Sequence, residues 1–205
     1  MANLFDLFQQ NLSGDLLKQL GSQVGISDET KTKEAATGAF SVLMGALNKN
    51  ASSTSGANML SSVLDRDHDG SILDDVMGYI SGSSNVSNAK ATDGSGILGH
   101  LLGNNQSSVV DQISSLVGID KNSSASLLTK LAPLAMGMLG KMKSENNLDA
   151  SGLQNVLKSS VAPAQQNSML SGLMTSFLDK DGDGNIVDDL ADMGMNALKG
   201  FFSKK

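Results

Sequence analysis

The sequence predicts an all-α, multihelical and internally duplicated fold, on three observations. Apolar residues recur at helical spacing through long stretches. β-Branched residues are scattered and nowhere alternate over a length that would make a strand. One set of landmarks also occurs twice in the same order, and a repeat of that kind decides the architecture before any single element does.

The repeat is explicit. QLGSQVGISDETKTKEAATGAFSVLMGALNK from Gln19 aligns with QISSLVGIDKNSSASLLTKLAPLAMGMLGK from Gln112, matching Val24-Gly25-Ile26 with Val117-Gly118-Ile119 and Met44-Gly45 with Met136-Gly137. Further on, LDRDHDGSILDDV from Leu64 matches LDKDGDGNIVDDL from Leu178. The second half carries an additional stretch, SENNLDASGLQNVLKSSVAPAQQ, between its long helix and its loop. The expected organisation is a first helical repeat over 1–80, a Gly/Ser/Asn linker over 81–96 and a second repeat over 97–205.

Each half reads as helix, turn, longer helix, connector, short helix, Asp loop, helix. In the first, Leu16, Leu17, Leu20 and Val24 lie on one helical face, and Gly25 serves as C-cap. Ser27, Asp28 and Glu29 then start a helix that runs to about Asn48, with Ala36, Phe40, Leu43, Met44 and Leu47 along one side. In the second half Asp120 takes the capping role and the helix runs to about Lys143, with a bend expected at the internal Pro133.

Composition narrows the function. Aromatics are 3% of the chain, with no Trp and Tyr79 as the single Tyr, so the core must come from Leu, Ala, Val, Ile and eleven adaptable Met. A net charge of −6, with neither a basic stripe nor stacking aromatics, disfavours nucleic acid as a partner. The absence of Cys removes disulfides, thiolate catalysis and Cys-type zinc sites. The N-terminus MANLFDLFQQNLSGDLLKQLG has no basic stretch ahead of an apolar one, and no apolar run reaches the ~20 residues that span a bilayer. A soluble, cytoplasmic protein is the expectation.

The informative chemistry is the run Asp65-Arg66-Asp67-His68-Asp69-Gly70-Ser71-Ile72-Leu73-Asp74-Asp75, repeated as Asp179-Lys180-Asp181-Gly182-Asp183-Gly184-Asn185-Ile186-Val187-Asp188-Asp189. Calcium takes roughly six to eight oxygens. Acids at loop positions 1, 3 and 5 can deliver three carboxylates to one point, Gly at 6 permits the sharp turn, and the carbonyl of Ser71 or Asn185 adds an oxygen. Ile72 and Ile186 anchor the loops. An EF-hand would place Glu at position 12, where this chain has Val76 and Leu190. Asp75 and Asp189 would therefore close the sites, with Asp74 and Asp188 as N-caps or supporting groups, or with those roles exchanged. Two calcium ions would take the net charge from −6 to −2. The plainer reading is a pair of acidic turns that only cap helices, leaving five carboxylates to repel one another beside a single Arg66 or Lys180.

Nothing else in the chain assembles a catalytic signature. His68 sits at an outward loop position and reads as solvated, while His100 lies alone in GILGHLLG. No nucleophile elbow or phosphate-binding Gly loop occurs, and no catalytic residue is assigned. The two ends carry apolar helical patterns, Leu4, Phe5, Leu7 and Phe8 at one and Met193, Met195, Leu198, Phe201 and Phe202 at the other. Core packing is the expected use of both, and contact with a membrane surface or a partner is the other.

The stretch VVDQISSLVGIDKNSSASLLTKLAPLAMGMLGK resembles the YidB-like bacterial family, domain of unknown function 937, and the segment GILGHLLG with the two DxDxDGxIxDD loops is similar to its longer members. The resemblance covers nearly the whole chain. It implies an all-α, multihelical fold that can include a homeodomain-like subunit, and it supplies no activity, substrate or site residue. The leading expectation is thus a non-enzymatic, calcium-binding helical scaffold or interaction module. A partner- or membrane-surface-binding protein with purely structural acidic loops is the alternative, self-association is open, and DNA binding stands third because of the acidity.

Overall fold

The computed structural model describes residues 4–84 and 86–166, all helices and connections. Helix α1 is Leu4–Asn11, α2 Gly14–Val24, α3 Glu29–Asn50, α4 Thr54–Asp67, α5 Val76–Ser81, α6 Gly94–Leu102, α7 Gln106–Val117, α8 Lys121–Glu145 and α9 Ala150–Gln166. Short 3-10 turns occupy Ser71–Asp75, Ala89–Thr92 and Gly103–Asn105. The all-α expectation holds: no strand occurs among the described residues. None of the described helices is long and apolar enough to cross a membrane.

Local chemistry sets the boundaries. At Gly25 the backbone turns left-handed, φ +80°, and the N–H groups of Gly25 and Ile26 both donate to Gly21 O. Gly118 does the same at φ +67°, where its own N–H and that of Ile119 donate to Ser114 O. Asp28 then caps α3 by accepting from the Thr30 and Lys31 N–H groups, and Asp120 caps α8 by accepting from Ser123 N–H at 2.9 Å. The Ser123 hydroxyl donates to the second Asp120 oxygen, and these bonds hold the carboxyl below the usual carboxylate range.

The two long helices α3 and α8 form the most extensive pairing and are the spine of the core. One apolar cluster runs from Leu4 to Val161, so residues on both sides of 81–96 enter the same core. The connecting segment is itself tied down, with Ala91 buried and Asp93 capping α6 through Gly96 N–H. Helix α1 contributes Leu4, Phe5 and Phe8 to this core, and Phe8 stacks on Phe40 of α3 with centroids 3.9 Å apart and planes 2° from parallel. Leu4, Phe5 and Phe8 of the apolar N-terminal stripe are therefore buried within this fold, while Leu7 is half-buried.

Pro133 stands inside α8 and has no N–H to give the Thr129 carbonyl. Gly94, at the start of α6, packs against that carbonyl so closely that a Cβ there would overlap it. The proline thus opens a seat for α6 on α8. The stretch that follows α8 supplies α9, which packs on α3 and α4.

The first Asp loop and the groove beside it

Helix α4 does not stop where the Asp run begins. It continues through Asp67, so Asp65 and Asp67 are both helical. Side chains two residues apart on a helix point about 200° away from each other. Asp65 accordingly leaves toward α8, where Lys143 Nζ lies 2.5 Å from its Oδ1. Asp67 turns the other way and accepts from Arg66 Nε at 2.8 Å, and that hydrogen bond holds its carboxyl below the usual range.

Past the helix, the turn at Gly70 and the anchoring by Ile72 follow the sequence reading, while Asp69 and Asp75 bond to backbone N–H groups of their own segment. Asp69 Oδ1 accepts from Ser71 N–H at 3.0 Å, which lowers its pKa. Gly70 is left-handed at φ +98° and packs on Lys141, where a Cβ would come within 2.8 Å of the lysine Cβ. Ile72 is buried and seats on Gly137 of α8, at a place where a Cβ would overlap its methyl. Asp75 is the N-cap of α5, accepting from Gly78 N–H at 2.8 Å, while Asp74 and Ser71 are exposed. Among the described residues no three His, Cys, Asp or Glu side chains are gathered for a metal ion. The second run, Asp179, Asp181, Asp183, Asn185, Asp188 and Asp189, lies outside the described residues.

His68 differs from the sequence expectation of a solvated side chain. Because α4 runs on through Asp67, His68 becomes its C-cap, donating N–H to Leu64 O at 3.1 Å, and only 4% of the residue is exposed. Its carbonyl packs on Gly140, where no Cβ could fit. Nδ1 has no hydrogen-bond partner. Burial lowers the imidazole pKa, against the opposing pull of the Asp67 and Asp69 charges. His100 is exposed on α6.

The loop is also one wall of a groove of about 1110 Å³. Leu73, Val76 and Met77 line it from the loop side, Met138 and Met142 from α8 and Leu16 from α2, with Lys141 and Glu145 at the polar edge. Under its α5 side, Tyr79 is pushed up to about 12 by burial, and Lys130 donates to Ile80 O at 2.9 Å. Of the residues that position the loop, the sequence marks Gly137 as a repeat landmark and Lys143 as a helix end, and it gives none of Gly137, Gly140 and Lys143 a place in the site. Two glycines three apart inside a helix, each costly to helix formation, were the available signal.

Fold and site together define a multihelical protein with a helix-docked acidic loop and an apolar groove. Residues 6–142 match the model of the family described as bacterial protein of unknown function (DUF937), and the chain belongs to that family. No curated protein and no solved structure matches the chain.

Proposed function

We propose that the protein is a non-enzymatic interaction module, built from two copies of one helical unit, whose groove receives the apolar face of an amphipathic partner helix. The observation that carries this reading is the groove lining: Met77, Met138 and Met142 surround a space between helices. Flexible, polarizable Met side chains adapt to varied apolar shapes, and a groove between helices is a common seat for a helix. In this reading the first Asp loop is structural and clamps α4 and α5 to α8 through Ile72, Gly70 and the Lys143–Asp65 pair. Duplication is supported by the matched turns at Gly25 and Gly118 and the matched caps at Asp28 and Asp120. The test is binding of anilinonaphthalene sulfonate and its competition by an amphipathic Leu/Lys helical peptide. Met142→Lys should weaken both by about tenfold or more with the melting midpoint unchanged. Absence of competition, or indifference to Met142→Lys, would sink the reading.

A second reading, calcium binding by both Asp loops, is favoured by the repeated spacing, by the left-handed Gly70 and by the buried Ile72. It requires the last turn of α4 to unwind so that Asp65 and Asp67 can face one ion with Asp69, the Ser71 carbonyl and Asp75 or Asp74. Calorimetric titration should then show two ions per chain, and one after Asp183→Asn. No heat at millimolar calcium would remove it.

A further inference from the structure

We propose that the helix received by the groove lies antiparallel to α8 and carries a base and then an acid, one turn apart, at the edge of its apolar face. This rests on the groove reading above and specifies the partner's charge. The groove stands where a helix contact is missing. Helices α8 and α9 follow one another through residues 146–149, yet each packs on α3 and they do not pair extensively with each other. Met138 and Met142 line the α8 side of the space and Val156 the α9 side. On α8 the lining is Leu134, Met138, Lys141, Met142 and Glu145, one stripe at helical spacing and about 16 Å long. A neighbouring helix of about three turns matches that length.

The stripe is apolar at one end and charged at the other, where Lys141 and Glu145 are the two charged residues of the lining. Both are exposed, and among the described residues neither forms an ion pair. Lys ahead of Glu is the weaker order for a pair within one helix, so both charges stay available to an occupant. Gly70 packs on the Lys141 Cβ and restricts where that stem can go. The chain as a whole is acidic and draws any basic helix, but a uniformly basic one meets a like charge at Lys141. An acid opposite Lys141 and a base opposite Glu145 satisfy both. Orientation follows from the end of α8. Lys143 is already paired with Asp65, so Glu145 and the last carbonyls leave that end negative. The positive N-terminal end of an incoming helix is favoured there. The residue facing Glu145 then precedes the one facing Lys141, and apolar residues follow opposite Met138 and Leu134.

Two Leu-rich helical peptides of identical composition test this, each about 16 residues long. One carries Lys and then Glu, one turn apart, at the edge of its apolar face, and the other carries Glu and then Lys. Binding to the full-length protein is read by fluorescence anisotropy. The Lys-first peptide should bind about fivefold tighter at low salt, and the preference should vanish at about 1 M salt while binding persists. Lys141→Glu combined with Glu145→Lys should reverse the preference. The salt series needs no variant, so it decides the matter if the exchanged protein fails to fold. Equal affinities, a Glu-first preference, or a preference that salt does not move would overturn the charge match. If neither peptide binds or displaces anilinonaphthalene sulfonate, the groove reading fails and the charge match with it. Equal binding of both peptides leaves the groove reading standing, so the two failures are distinguishable.

Discussion

Helices α3 and α8 begin alike and end differently. Both follow a left-handed glycine, both are capped by an aspartate, and both carry a hydroxyl that bonds back to the cap residue, Thr32 to Asp28 O and Ser124 to Asp120 O. Toward their C-terminal ends α8 presents the bare backbone of Gly137 and Gly140 to the first Asp loop, while the aligned positions of α3 are Gly45 and Asn48. Starts are fixed by local hydrogen bonding, so the two helices share them. Ends are fixed by what lies against them, and there the two helices differ.

Substitutions can break or sharpen that contrast. Ile72→Ala should have the largest effect, about 2–4 kcal/mol in denaturant unfolding, because it empties a buried seat on Gly137. Gly140→Ala should follow at about 1–3 kcal/mol, since its methyl meets the His68 backbone carbonyl, which cannot rotate away. If Gly140→Ala is neutral, the close approach is not what fixes the loop. Removing a cap should cost less and equally at the two helix starts, about 1 kcal/mol for Asp28→Ala and for Asp120→Ala.

The pH dependence should differ between the two loops. The folded pKa of His68 lies below its unfolded value near 6.5, so its contribution is complete above that value and is lost as pH falls through it. The melting midpoint should therefore drop between about pH 7 and about pH 5, and His68→Gly, which copies the second loop, should flatten the drop. The smallest effect is expected of Lys143→Ala, a few tenths of a kcal/mol, because Asp65 is largely exposed to water.

The caps show what could be read from residues alone. Gly25, Gly118, Asp28 and Asp120 act on their own neighbours, and the sequence names them directly. The burial of Leu4, Phe5 and Phe8 followed from helical spacing, although the choice between core and partner needed Phe40 to be in place. The Asp loop was legible only from Gly70 to Ile72, where the left-handed φ and the buried isoleucine follow the pattern, whereas the cap of α5 falls to Asp75, the residue first expected to close the site. Its first half was not, because spacing in sequence cannot reveal that α4 persists through Asp67. That persistence sends Asp65 to Lys143, 78 residues away, and drives His68 inward. The groove was invisible for the same reason, being made by α1, α2, α5, α8 and α9 meeting.

Amide exchange at His68 tests the state of the loop most directly. Its N–H is bonded to Leu64 O at 3.1 Å, the last link of α4. With the acids held apart on a closed helical turn, that amide should stay protected whether chelator or millimolar calcium is present. Loss of its protection on adding calcium would mean that the turn opens to bring Asp65 and Asp67 together, and would contradict the loop's role as a fixed clamp.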